Sequence, residues 1–305
     1  MIKKIYSKTD GSVNWIIPYK NSFVEARYVR RSPHYISAYL SSHNGCKMEC
    51  KFCWLTATKQ KEFNHTTQDI YSTQLNYILE HSKKIDSDLS SDIRINVNLM
   101  ARGEALANKY IINQYPIFYN NMKDLVNKYN YKELKVNLST IIPYTVKDYE
   151  LFYIFKNIPT NIYYSLYSID PIFRKKWMPN AIPWQLALDK LKKYQFLTNN
   201  PITFHYAIIE GENDKIEEIK KMTDEIKKFS FNHTKFNIVR FNPHPSMKEY
   251  KEPSEDKLKS IYEILKSVAN DSNIKTNKSR IVPRADQLTR SSCGMFITKD
   301  EYDDI

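Results

Sequence analysis

Cys46-Lys47-Met48-Glu49-Cys50-Lys51-Phe52-Cys53 places three of the chain's four cysteines within eight residues, while the fourth, Cys293, lies near the other end. Structural zinc sites usually pair cysteines as C-x2-C and take four protein ligands, whereas C-x3-C-x2-C offers three thiolates from one loop. Three soft sulfur ligands suit a [4Fe-4S] cluster with one iron left open for another molecule. The competing reading is a structural zinc knot completed by Cys293 or His43.

Working outward from that loop, residues 12–41 are rich in β-formers. Val13-Asn14-Trp15-Ile16-Ile17 and Phe23-Val24-Glu25-Ala26-Arg27-Tyr28-Val29 read as a hairpin turning at Pro18-Tyr19-Lys20-Asn21, and Tyr35 to Leu40 as a third strand leading to the cysteines. Beyond the loop, helix and strand alternate. Helices are expected near 67–84, with Thr66-Thr67-Gln68-Asp69 as a cap, and near 111–129, 146–156, 182–197, 213–229 and 254–270. Strands are expected at 93–99, 133–139, 161–167, 202–209 and 235–241. This alternation implies right-handed crossovers and a parallel sheet that binds its ligands at the carboxyl ends of the strands. The expected fold is α/β: a partial (β/α)6 barrel over residues 42–283, a short N-terminal β hairpin extension over 1–41, and a C-terminal loop over 284–305 that carries Cys293.

With 305 residues, 42% of them hydrophobic, the chain is long enough to bury a substantial core. It has no 18-residue apolar run, and Met1-Ile2-Lys3-Lys4-Ile5 does not resemble a signal peptide. The expectation is a soluble, cytoplasmic protein with no membrane partner, and the clustered cysteines argue against a secreted disulfide framework. A formal charge of +12 favours a polyanionic partner. That charge is dispersed over Arg30-Arg31, Arg174-Lys175-Lys176, Lys192-Lys193, Lys220-Lys221 and Lys227-Lys228, which read equally as solvated helix faces. Glycine is scarce, at five residues. Gly45 precedes Cys46, Gly103 opens Gly103-Glu104-Ala105-Leu106-Ala107-Asn108, and Gly294 follows Cys293, positions where a positive φ or a close backbone approach is expected.

The cysteine spacing, with Phe52 before the last cysteine, resembles the signature of the radical SAM superfamily. Over roughly residues 9–296 an ordered set of segments is similar to one branch of it, the RlmN/Cfr family of ribosomal RNA adenine methyltransferases. Ser41-Ser42-His43-Asn44-Gly45-Cys46 resembles the family's approach to the cluster, and Gly103 to Asn108 its G-E-A/P-L-x-N turn. Leu138-Ser139-Thr140, Ser165-Leu166-Tyr167-Ser168, Trp177-Met178-Pro179 and Arg240-Phe241-Asn242-Pro243 resemble later strand ends and turns. Ser292-Cys293-Gly294 is similar to the A-C-G that carries the family's methylated cysteine.

The resemblance implies cluster ligation by Cys46, Cys50 and Cys53, and contacts to S-adenosyl-L-methionine from Gly103, Glu104, Ser139, Ser165 and Asn242. It implies that Cys293 is the methyl carrier, and that Glu25, with a pKa raised by an apolar surrounding, exchanges a proton with the target adenine. The outward-facing strand glutamate is the plainer reading of Glu25. The activity implied is methylation of adenosine, of the C2 or C8 type, in RNA through S-methyl-Cys293, with an electron donor such as flavodoxin or ferredoxin. Two departures stand out. Tyr39 occupies the place of the cysteine that resolves the covalent adduct in the family, and the chain begins almost at the hairpin, where the family has a helical accessory domain. Two other readings therefore stay open: radical chemistry on another substrate without the two-cysteine transfer, and an iron–sulfur protein that binds nucleic acid or regulates.

Overall fold

The computed structural model describes residues 1–85, 92–270 and 278–304. Within them a single ten-stranded sheet runs in sequence order. Strands β1 (Lys3–Tyr6), β2 (Val13–Tyr19), β3 (Ser22–Ser32) and β4 (Tyr35–Leu40) pair antiparallel. From β4 onward every pairing is parallel, through β5 (Arg94–Leu99), β6 (Glu133–Thr140), β7 (Thr160–Ser165), β8 (Ile202–Ala207), β9 (Thr234–Val239) and β10 (Arg280–Val282). The helices are α1 (Trp54–Ala57), α2 (Gln68–Ile85), α3 (Lys109–Lys128), α4 (Leu151–Phe155), α5 (Pro171–Trp177), α6 (Trp184–Thr198), α7 (Ile216–Lys228), α8 (Glu255–Lys266) and α9 (Lys299–Asp304). This is the α/β partial barrel expected from the alternation. No helix among the described residues is long and apolar enough to cross a membrane.

The parallel strands alternate sharply between their two faces. Ile95, Val97, Val136, Leu138, Ile162, Phe204, Phe236 and Ile238 are buried in one core with Leu75 and Ile78 of α2, Phe118 of α3, Leu188 of α6, Met222 of α7 and Ile261 of α8. Each such aliphatic or aromatic side chain contributes about 1.5–3 kcal/mol on leaving water. The opposite face is polar. Asn161 donates from Nδ2 to Asn137 at 2.8 Å, and Asn137 donates to Asn98 at 2.8 Å, an amide ladder across three neighbouring strands.

Several boundaries differ from the sequence expectation for identifiable reasons. β2 runs on through Pro18 to Tyr19 because β1 covers it only as far as Ile16, leaving an edge where a missing N–H is harmless. The helix expected at 146–156 divides into a 3-10 turn, Tyr144–Val146, and α4. α5 was not anticipated, although Asp170 caps it by accepting from the Ile172 and Phe173 amides, with Pro171 in the first turn. β7 and β8 stop at Ser165 and Ala207, before the expected 167 and 209, and the chain then turns toward the barrel mouth with Tyr167 at φ 56°.

Candidate cluster and methyl-carrier site

The cysteine loop leaves the end of β4 and is fixed at its base by buried hydrogen bonds. The Ser41 amide donates to Gln74 at 2.7 Å, and the Ser42 amide donates to the Arg102 carbonyl at 2.8 Å. Gly45 is required by space, since a Cβ there would lie 2.5 Å from the Glu62 carbonyl oxygen and 2.6 Å from that of Gln60. The Cys46 amide then donates to that Gln60 carbonyl at 3.0 Å, and the Cys53 amide to the Cys50 carbonyl at 3.0 Å, just before α1. The three thiols line one cavity together with Gly103, Glu104, Ser139, Ser165, Tyr167 and Cys293. Burial pushes all three thiols up, Cys53 to about 11, and each of Cys46 and Cys50 is raised further by a neighbouring cysteine. Three buried thiolates side by side need a compensating cation, which is what iron supplies.

No three His, Cys, Asp or Glu side chains among the described residues close tightly enough to hold a single metal ion. His43 does not line the cavity. It stacks on Phe63 with ring centroids 4.0 Å apart, and burial, then His65, holds its pKa down to about 3. The zinc-knot reading therefore has no fourth ligand in His43.

Opposite the cysteines, the turn after β5 presents Gly103 and Glu104. Gly103 has φ +94°, and a Cβ there would sit 2.5 Å from His43 Nδ1, so the backbone passes where only glycine fits. Glu104 accepts from the Leu106 amide at 3.0 Å and from the Ile141 amide at 3.1 Å, which leaves further lone pairs on both oxygens. Burial raises its pKa to about 7 despite these bonds. It is the single acidic side chain among the described residues lining the cavity.

Cys293 arrives from the far end of the chain. The Trp54 amide donates to the Gly294 carbonyl at 2.9 Å, joining the residue after Cys53 to the residue after Cys293. Asn242 donates from Nδ2 to the Cys293 carbonyl at 2.9 Å and accepts at Oδ1 from Arg284 at 2.9 Å. Asn242 thus does not line the cysteine cavity; it braces the Cys293 loop from the adjoining barrel lumen. The Cys293 side chain is accessible to solvent, yet protein packed around it raises its pKa, an effect only partly opposed by a hydrogen bond with the Tyr167 hydroxyl and by Arg27. Tyr39 faces the same lumen as Cys293.

Glu25 requires a correction. It is fully buried, lines neither cavity, and its pKa is lowered rather than raised: burial alone would push it up, but Arg27 and Arg102 outweigh it. Its Oε2 accepts from Arg27 at 2.7 Å and from Asn14 at 2.8 Å; its Oε1 accepts from Arg102 at 3.0 Å and from the Ile297 amide at 3.1 Å. Arg27 also donates to the Met295 carbonyl and Arg102 to that of Ile297. The glutamate and its two arginines clamp the backbone that follows Cys293.

Arg27, Arg102 and Tyr167 are thus the site residues the sequence reading missed. Arg102 directly precedes the recognised glycine turn, and that position was the one signal the sequence offered; its burial is visible only in the structure. The basic groups, by contrast, are largely paired or structural. Lys227 and Lys228 meet Asp224 and Glu225 one turn away, Lys193 meets Glu150, and buried Arg174 donates to the Leu166 and Ile182 carbonyls.

No family model matches the chain. It is 30% identical over 234 residues to the probable dual-specificity RNA methyltransferase RlmN of Clostridium botulinum strain Langeland, covering 74% of this chain and 62% of that protein. The RlmN protein of Clostridium acetobutylicum is 27% identical over 280 residues, 90% of this chain and 74% of that protein. The chain thus spans 62% of the length of the first of these curated relatives. Among solved structures, a radical SAM methyltransferase from Sphaerobacter thermophilus superposes with a TM-score of 0.73 at 15% identity, covering 97% of this chain and 80% of that one. That likeness is one of fold.

Proposed function

We propose, on the premise that this chain belongs to the RlmN/Cfr-like family of radical SAM proteins, that it methylates an adenosine-type nucleobase in RNA through Cys293. The observation that supports this most is the meeting of Cys293 with Cys46, Cys50 and Cys53 in one cavity, although some 240 residues separate them in sequence.

In this reading Cys46, Cys50 and Cys53 hold a [4Fe-4S] cluster, with Gly103, Glu104, Ser139 and Ser165 placed to bind S-adenosyl-L-methionine. When bound, this pair supplies a 5′-deoxyadenosyl radical on receipt of one electron from a donor such as flavodoxin or ferredoxin. The Glu104 carboxylate accepts from the methionine ammonium group, and the serine hydroxyls take up carboxylate or ribose edges. Cys293 acts as a thiolate nucleophile toward the methyl group of a first S-adenosyl-L-methionine. The Tyr167 hydroxyl, within hydrogen-bond reach, steadies that thiolate before transfer. Asn242 and the Glu25, Arg27 and Arg102 network act as positioning groups for the carrier loop. Because Tyr39 cannot form a disulfide, release of a product bound through Cys293 would draw on an external thiol, whose sulfur bonds to Cys293 Sγ as the sulfur–carbon bond breaks and the released carbon takes a proton.

The test is an incubation of reconstituted enzyme and an adenosine-containing RNA with S-adenosyl-L-methionine deuterated in its methyl group. Deuterium should appear in 5′-deoxyadenosine, because the hydrogen removed comes from S-methyl-Cys293. Deuterium arriving instead from a labelled substrate would sink the methyl-carrier reading and favour radical chemistry of another kind.

A further inference from the structure

The inner face of a closed α/β barrel is ordinarily filled by branched aliphatic side chains. Here that face is built of amides, tyrosines and cations. The alternation is already visible in Arg94-Ile95-Asn96-Val97-Asn98-Leu99, where the residues between the core positions are all polar. The lumen continues from Cys293 toward the amino ends of the strands, and among the described residues its lining contains six cationic side chains and no Asp or Glu. Arg27, Arg240 and Arg284 are matched by carboxylates, whereas Arg31, Lys135 and Arg280 have no carboxylate partner within salt-bridge distance among the described residues.

Two polar atoms in this wall lack a partner. Asn237 is only 4% exposed and its Oδ1 accepts nothing, and the buried Nε of Arg280 donates to nothing. Asn237 pairs with both Arg280 and His205 across neighbouring strands, so the orphaned atoms lie on one patch. A buried polar group without a partner costs about 1–3 kcal/mol. An anion would accept from the Arg280 Nε, whereas Asn237 Oδ1, itself an acceptor, would take a ligand hydroxyl or an ordered water. The patch is also electropositive: burial and then Lys235 and Arg280 hold His205 down to about 3, and burial and Arg94 push Lys135 below its ordinary value.

The cavity, about 170 Å³, has room for a small group but not for folded RNA. Ser139, which lines both cavities, and Lys135 are four residues apart on β6, roughly 13 Å at about 3.3 Å per residue. That span is comparable to a phosphorylated nucleoside lying with its base at the thiol and its phosphate below.

We infer that this lumen is an anion site that takes a phosphate of the target nucleotide on Lys135 and Arg280, with Arg31 at its side, and so aims the base at Cys293. The inference rests on the nucleobase reading above and names the group by which its substrate is held. The phosphate belongs to a free mononucleotide or to RNA, and binding separates the two.

The experiment is calorimetric titration of the full chain with adenosine, with adenosine 5′-monophosphate, and with a short adenosine-containing RNA bearing a 5′-hydroxyl. The monophosphate should bind at least about tenfold more tightly than adenosine, as charge-assisted bonds to two cations allow. Lys135→Met and Arg280→Met should erase that preference, while Lys135→Arg should retain it, which separates lost charge from lost folding. Weak mononucleotide binding with RNA binding that depends on Lys135 assigns the phosphate to RNA. Equal affinities for adenosine and its monophosphate, with RNA binding indifferent to Lys135, overturn the site. Methylation of Cys293, followed separately in the unsubstituted protein, shows whether the nucleobase reading survives that outcome.

Discussion

The two ends of the barrel interior draw on the same strands for opposite chemistry. At the carboxyl ends the walls are three thiols, one buried acid and apolar groups such as Phe52, Leu99 and Ala101; toward the amino ends they are amides, tyrosines and cations. Met100, Ser139, Cys293, Gly294 and Phe296 line both. The difference teaches that one set of strands can build two separate environments, and in the proposed reading Cys293, which borders both, would link a cofactor end to a substrate end.

The largest effect expected breaks the upper end alone. Cys50→Ala should reduce iron content and bring 5′-deoxyadenosine formation to background, measured by iron analysis and chromatography, because two thiolates do not replace three. Normal turnover in that variant would contradict the ligand set.

Next comes the junction. Cys293→Ala should abolish methylated product while leaving cluster absorbance and S-adenosyl-L-methionine binding in place. Loss of the cluster as well would make Cys293 a fourth ligand instead of a carrier.

The clamp that sets the junction is a stability device. Glu25→Ala leaves Arg27 and Arg102 uncompensated, a loss of about 3–5 kcal/mol visible in chemical denaturation. The folded pKa of Glu25 is depressed, so its contribution is present above the ordinary glutamate range and is lost as pH falls through that depressed value. Acid unfolding of the unsubstituted chain should therefore show a component that Glu25→Gln lacks. Unchanged stability in both variants would remove the clamp.

The smallest effect sharpens the upper cavity. With its pKa raised to about 7 by burial, Glu104 is half protonated near neutrality in the ligand-free protein. S-adenosyl-L-methionine affinity should fall by up to about tenfold per pH unit below 7 and level off above it, while Glu104→Gln should bind weakly at every pH. The ligand-free protein should lose stability as pH rises from 4.5 to about 7, since the folded state keeps a proton that the unfolded chain has released. A flat binding profile would place the ammonium group elsewhere.

The strands and the cluster loop were legible because their signals are local: apolar alternation in β5, β6 and β9, and three cysteines at fixed spacing. Cys293, Gly103 and Ser139 became legible through the ordered resemblance. Glu25 was found but misread: Arg27 stands two residues along the same strand, but burial is not written locally, and Arg102 and the Ile297 amide come from 77 and 272 residues away. β1 and β10 were missed as well, being four and three residues long and defined by pairing rather than by composition. The polar lumen was present in the sequence as the second half of each alternation, but its meaning depended on knowing which face the helices cover.

Peptide mass spectrometry after incubation of the reconstituted protein with methyl-labelled S-adenosyl-L-methionine tests the central claim most directly. One labelled methyl group on Cys293, and none on Cys46, Cys50 or Cys53, is the predicted result. An unmodified Cys293 in protein that retains its cluster and cleaves S-adenosyl-L-methionine would contradict it.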